Sequence, residues 1–193
     1  MMRIITGTAR GTKLLSPEGT ATRPTSERAK EAVFSTLAFD IPGRRVLDLF
    51  AGSGQLALEA LSRGAESAVL VDSAVGAIDV IRKNVVKTHM ERKAAVLRMD
   101  CLSYLKSVRL ERPFDLIFID PPYIKRLVPD MLTVIIERNL ASPNAIFVCE
   151  SEEEDIFEGN ETLRTQFTVR RSGRYAKAVV TILERNWGGT EEK

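Results

Sequence analysis

The chain has 193 residues, 44% hydrophobic and 28% charged, with a formal net charge of +2, the balance of an ordinary soluble domain able to bury a real core. No apolar run approaches bilayer length and Met1-Met2-Arg3-Ile4-Ile5 lacks a signal peptide's apolar stretch, so a cytoplasmic protein with no membrane partner is expected, by default a monomer. Cys101 and Cys149 lie far apart and the single histidine is His89, which argues against a metal site and leaves both thiols inert.

Residues 1–30 carry six basic side chains (Arg3, Arg10, Lys13, Arg23, Arg28, Lys30) against Glu18 and Glu27, so the rest of the chain sums to −2. This asymmetry suits an arm that meets a polyanion, although a solvated basic face is the commoner origin of such a run. Arg3–Thr6 and Lys13–Leu15 flank Gly7 and Gly11 as a hairpin. A helix follows Pro24-Thr25-Ser26, with Ala29, Val33 and Leu37 on one face. Arg10, Lys13 and Arg23 are the expected phosphate contacts.

From residue 44 a different pattern begins, in which β-branched runs alternate with helical ones. Arg45–Phe50 reads as a strand, and Gln55–Arg63 as a helix that Gly64 ends. Between them lies Asp48-Leu49-Phe50-Ala51-Gly52-Ser53-Gly54. Its glycines let the backbone pass close to a ligand, and the helix start turns N–H groups toward it. A second strand, Ala68–Asp72, ends in an acid placed to accept from ribose hydroxyls. This turn and acid mark a nucleoside-cofactor site, yet Gly52-x-Gly54-x-x-Ala57 also satisfies the dinucleotide form. Asp48 favours S-adenosylmethionine, because its carboxylate suits an ammonium and repels a pyrophosphate.

An amphipathic helix near residues 74–87 follows, with Ile78, Ile81 and Val85 on one face. Then come a strand at Ala95–Met99 and Asp100, either an acceptor for an adenine amine or a cap for the turn at Cys101. A fourth strand, Asp115–Ile119, leads into Asp120-Pro121-Pro122-Tyr123. Two prolines fix φ and remove two N–H donors, so carbonyls and the Asp120 carboxylate converge as acceptors. Tyr123 offers a face on which a base can stack. Acceptors in the plane of a base amine plus a stacking ring suit N-methylation of that amine; the bland alternative is a rigid Pro-Pro turn with a packed Tyr.

A helix near Leu127–Asn139, a strand at Ala145–Cys149 and an acidic stretch from Glu150 to Glu161 come next. The acidic stretch reads as exposed surface without a role. Phe167–Arg171 and Ala176–Leu183, separated by Ser172-Gly173, read as a closing antiparallel hairpin. The expected fold is α/β and Rossmann-like, a seven-stranded, mostly parallel sheet with helices on both faces and its last pair antiparallel. It is expected as one domain: an extension at 1–43, a core at 44–186 and a tail at 187–193.

These motifs together resemble the RsmD-type family of bacterial small-subunit rRNA guanine-N2 methyltransferases. The resemblance rests on Asp48–Gly54 followed by Glu59-Ala60-Leu61-Ser62-Arg63-Gly64-Ala65. Arg10-Gly11, Arg23-Pro24-Thr25 with Glu31-Ala32-Val33-Phe34, and Asp120–Tyr123 extend it over most of the chain. Gln55-Leu56-Ala57 departs from the small residues and glycine commoner there, which bears on packing rather than function. The resemblance implies a class I S-adenosylmethionine-dependent methyltransferase acting on ribosomal RNA, free or within the small subunit. Asp48, Phe50, Ala51, Gly52, Ser53, Gly54, Asp72, Asp100 and Thr25 would bind the cofactor. Asp120, Pro121, Pro122 and Tyr123 would carry catalysis, and the target base would leave its stack to reach them.

Two other functions use parts of the same pattern. A DNA adenine or cytosine amino-methyltransferase shares Asp-Pro-Pro-Tyr, though the chain shows no extra target-recognition region. A nicotinamide-dependent oxidoreductase would use the Gly-x-Gly-x-x-Ala turn and leave Asp48 and the Pro-Pro-Tyr loop unexplained.

Overall fold

The computed structural model describes residues 2–17, 27–122 and 127–186. Long apolar runs become strands covered on both faces, which is why they do not alternate in polarity. The strands are β1 (Arg45–Leu49), β2 (Ser67–Asp72), β3 (Ala94–Arg98), β4 (Phe114–Ile119), β5 (Ala141–Ser151), β6 (Phe167–Tyr175) and β7 (Ala178–Arg185). They form one sheet in the order β3-β2-β1-β4-β5-β7-β6. β1 to β5 pair in parallel, and β7 enters antiparallel between β5 and β6.

Helices α1 (Glu27–Thr36), α2 (Gln55–Ser62) and α3 (Val75–Lys87) cover one face, packing on Val46, Leu116, Phe118, Ile146 and Val148. Helices α4 (Cys101–Ser107) and α5 (Leu127–Glu137) cover the other, over Leu47, Leu49, Ile117, Ile119 and Phe147. Three helices stop in the same way. Ala65, Met90 and Leu140 donate their N–H groups to the carbonyls of Ala60, Val85 and Ile135, each across a residue of positive φ: Gly64 (101°), His89 (58°) and Asn139 (52°). Gly64 announced its stop in the sequence; His89 did not.

The N-terminal arm is the expected short hairpin, with Ile4 N–H bonded to the Thr12 carbonyl and Leu14 N–H to the Met2 carbonyl, and it is pinned to α2. Arg3 and Lys13 make a single antiparallel bridge. Gly7 holds φ 88°, and a Cβ there would stand 1.8 Å from the Ser62 carbonyl oxygen. Ile5 and Thr6 donate their N–H groups to the Glu59 carboxylate at 2.7 and 3.0 Å, and Arg63 Nε donates to it at 2.8 Å. Lys30 Nζ lies 3.8 Å from the same carboxylate and donates to the Arg3 carbonyl at 2.6 Å. One of the six N-terminal cations is therefore a core residue, 1% exposed, and not a surface contact.

The closing hairpin turns at Ala176-Lys177, not at Ser172-Gly173. Those two residues lie inside β6, opposite Thr181 and Val180. Gly173 marks close packing: a Cβ there would sit 3.3 Å from the Tyr175 ring. Ala176 takes the turn with φ 58°. β5 begins four residues before the apolar run suggests, with Ala141 opposite Phe114 and a register shift before Leu116 meets Ile146. Residue 101 opens a helix, not a lone turn, and a short α6 (Glu161–Arg164), capped by Asn160, follows the acidic stretch.

Candidate active site

Strand order reverses between β1 and β4, because β1 continues toward β2 on one side and β4 toward β5 on the other. Ligands in such sheets sit beyond the carboxyl ends at that point. After Leu49 the chain turns sharply: Phe50 holds φ 62°, a conformation bulky residues rarely adopt. Ala51 donates its N–H to the Val71 carbonyl at 3.1 Å, and Gly54 donates to Ala51 at 2.6 Å. Gly54, at φ 76°, opens α2 where a side chain would press on Leu70 at 3.0 Å. Gly52 faces open space, an added Cβ meeting only the Phe50 carbonyl at 3.8 Å.

The acids of this loop are held by backbone. Asp48, 1% exposed, accepts the Ala57 N–H at 3.1 Å. Burial pushes its carboxyl up to about 8, with Asp120 and Asp72 adding to the rise and the Ala57 bond opposing it. Asp72 accepts Gly52 N–H at 2.9 Å through one oxygen and Ala74 N–H at 2.8 Å through the other. Asp100 caps α4, accepting Ser103 N–H at 2.8 Å, and that bond holds its carboxyl below the usual range. Cys101 lies beneath Phe50, whose N–H reaches its sulfur at 3.4 Å, and burial raises the thiol to about 12. A thiol so placed is inert.

The second loop begins beside the first. Leu49 pairs with Ile119, and Ile119 with Cys149, so Phe50 and Asp120 leave the sheet side by side, next to Glu150, which is still paired in β5. Asp120 is half-buried and close enough to act on Asp48 electrostatically. A cavity opens from Pro121 and Pro122 toward Val128, Ile156 and the backbone and side chains of residues 150–153. The acidic stretch thus lines a wall beside the Pro-Pro loop. Its composition was plain in the sequence, its placement was not.

Arg10 and Lys13 are exposed on the arm, Arg10 near its tip. Arg23, Thr25 and Tyr123 lie outside the described residues. Sequence reasoning passed over Asn84, a buried α3 residue whose amide donates to the Ser53 carbonyl at 2.8 Å and whose oxygen accepts Leu15 N–H at 2.8 Å. It ties the arm to the glycine loop; an Asn on the apolar face of α3 was the available signal. Val75 and Met99, large apolar side chains 54% and 42% exposed, were also missed. Met99 N–H bonds the Asp72 carbonyl at 3.0 Å, which puts it at the same strand ends.

The family described as Conserved hypothetical protein 95 matches residues 2–184. The ribosomal RNA small subunit methyltransferase D of Haemophilus influenzae is 35% identical over 155 residues, 79% of this chain and 80% of that protein. Its namesake in Escherichia coli K12 is 30% identical over 191 residues, 99% of this chain and 93% of its own length. This chain belongs to the ribosomal RNA small subunit methyltransferase D family. Its fold is that of the class I methyltransferases. A solved methyltransferase candidate from E. coli, yhhF, superposes with a TM-score of 0.81 at 30% identity, covering 95% of this chain and 97% of that one. A Pyrococcus horikoshii structure, PH1948, superposes with a TM-score of 0.72 at 18% identity over 92% and 93%, a likeness of fold alone. Among the described residues no cluster of three or more metal-ligating side chains forms, and no helix is long and apolar enough to cross a membrane.

Proposed function

We propose that this methyltransferase D family member transfers a methyl group from S-adenosylmethionine to the N2 amine of a guanine in small-subunit ribosomal RNA. The register of β1 on β4 carries the reading, because it sets the glycine loop and the Asp-Pro-Pro loop at one level of the sheet. The first loop fits the cofactor. Gly52 leaves room for a ligand against its backbone, α2 begins there with no side-chain cap, and Asp48 lies below with a carboxyl that an arriving ammonium would ionise. Val75 and Met99 offer apolar faces to the adenine beside Asp72 and Asp100. When bound, the cofactor supplies a methyl on a sulfonium, already a good leaving group, so no metal is required.

The chain's part is to place and orient the nucleophile. Asp120 accepts hydrogen bonds from the amine, which favours a pyramidal nitrogen whose lone pair points away from the carboxylate. Positive charge would develop on the nitrogen as it takes the methyl, and the Asp120 carboxylate would stabilise that charge before the proton leaves to solvent. Guanine fits this acceptor because N1–H lies beside N2–H₂, whereas adenine sets its N1 lone pair against a carboxylate. The acid-lined wall beyond Pro122 agrees, since it welcomes donors and repels phosphates.

The test is mass spectrometry of small-subunit rRNA nucleosides from cells with and without the protein. N2-methylguanosine should be lost with the protein. Loss of N6-methyladenosine instead would overturn the guanine assignment.

A further inference from the structure

The arm's tip meets the loop after α3 in a groove at the opposite end of the sheet from the active site. Thr8 N–H bonds the Ser62 carbonyl at the end of α2, and the Lys93 carbonyl accepts Ala68 N–H where β2 begins. The groove is thus at the amino ends of the parallel strands, about one strand length, roughly 17–20 Å, from the glycine loop. Arg10 from the arm, Lys87 from the end of α3 and His89, Arg92 and Lys93 from the loop line it, against a single acid, Glu91.

Three observations separate this groove from a solvated basic face. Arg10, Lys87, Arg92 and Lys93 are all exposed, and none makes an ion pair among the described residues. Some surface arginines elsewhere are neutralised by acids, Arg112 by Glu66, Arg164 by Asp155 and Arg174 by Glu154. Those left without an ion pair among the described residues, such as Arg98 and Arg109, are not gathered in a groove with other cations. The loop is also locked, because His89 and Met90 N–H groups close the end of α3 on Val86 and Val85 at 3.0 Å each, and Lys93 N–H bonds Met90 at 2.9 Å. Its cations are therefore held on a fixed concave frame, which lowers the ordering cost of binding. The rim of the active site, by contrast, is acidic through Glu150, Glu152, Glu153 and Glu158 and would repel a phosphate backbone.

We infer that this groove docks the phosphodiester backbone of an RNA segment remote from the target base. Resting on the proposed rRNA activity, the inference adds where the backbone is held. Lysines and arginines in a groove too far from the glycine loop to touch the reacting base contribute uniform, salt-dependent affinity rather than base choice. RNA is then gripped at one end of the sheet and presented as an extruded base at the other.

The test uses the full-length protein and unmethylated small-subunit rRNA from cells lacking it. The triple variant Lys87→Gln, Arg92→Gln, Lys93→Gln should raise Kd for that RNA by roughly tenfold to a hundredfold at physiological salt. It should also flatten log Kd against log salt by about 0.7–0.9 per lost contact. S-adenosylmethionine affinity and kcat at saturating RNA should not change. The charge-preserving triple, Lys87→Arg, Arg92→Lys, Lys93→Arg, should keep the wild-type slope. An unchanged Kd and slope in the Gln variant overturns the docking groove, as does a charge-preserving triple that behaves like the Gln one. Absence of methylated guanosine with the wild-type protein would instead overturn the proposed activity, while the binding curves still decide the groove.

Discussion

The loops after β1 and after β4 leave the sheet side by side and are built in opposite ways. In the first, acids and backbone satisfy one another: Asp48 takes Ala57 N–H, Asp72 takes Gly52 and Ala74, and Phe50 is forced to a positive φ. In the second, Pro121 and Pro122 contribute no N–H at all, and Asp120 is only half-buried. On the proposed function the first, shaped in advance by the fold, would hold the cofactor that every turnover reuses, and the second would take the extruded base. Carboxylates at strand ends are not equivalent: Asp48 is 1% exposed and Asp120 is half-buried.

The sharpest test lies on α2, in the pre-shaped region. Glu59 is fully buried, holds the arm through Ile5 and Thr6, and faces Lys30, whose amine burial has pushed below its usual value. Glu59→Ala should cost about 3–5 kcal/mol in denaturant unfolding, because it strands a buried cation and two N–H groups. A loss under about 1 kcal/mol would break the claim that this region's acids are structural.

Asp120 should show the opposite profile. Asp120→Ala is expected to lower kcat by about two to three orders of magnitude with cofactor Kd and stability near wild type. Asp120→Asn should keep part of the rate, since its amide oxygen still accepts. Weakened cofactor binding in a folded Ala variant would move Asp120 into the first class.

Asp48 gives a pH signature. Its carboxyl is raised to about 8 in the folded chain against 3.8 in the reference state, so the folded state holds an extra proton between those values. Stability from this group therefore falls as pH rises from about 4 to 8 and stays low above. Asp48→Asn removes the slope and should raise stability at pH 9 by at least about 2 kcal/mol, one pKa unit corresponding to about 1.4 kcal/mol. Parallel melting curves of the two proteins across that range would sink the assignment.

Much of this was legible beforehand. The five parallel strands, α2 and its stop at Gly64, and the two chemistry-bearing loops follow from apolar runs and from glycine and proline placed after them. What failed did so for local reasons. Ser172-Gly173 carries a turn signal, but Tyr175 packs over the glycine and keeps it in β6, while Ala176 turns the chain without one. Lys30 counts as surface charge until its partner Glu59, 29 residues on, is brought to it. Asn84 and residues 150–153 acquire their places through contacts distant in sequence, which no spacing along the chain encodes.

Asp100 carries the smallest expected effect and sits on the boundary between the two classes. Exposed, it caps α4 through Ser103, whose hydrogen bond holds its carboxyl below the usual range. Asp100→Ala should cost about 1 kcal/mol and Asp100→Asn a few tenths, since Asn caps nearly as well. A depressed carboxyl stabilises the fold above its unfolded value and loses that contribution as pH falls through the folded one, so wild type and Ala variant should converge in stability in acid. Calorimetry of S-adenosylmethionine binding then places the residue. If the Ala variant loses stability but keeps its affinity, Asp100 serves the fold, like Glu59. If affinity falls in both variants while the Asn variant keeps its stability, the outer oxygen also meets the adenine amine, because an Asn whose oxygen caps Ser103 turns only an NH2 donor outward. An acid that both caps a helix and holds the cofactor would join Asp48, which accepts Ala57 N–H and on the proposed function is placed for the ammonium.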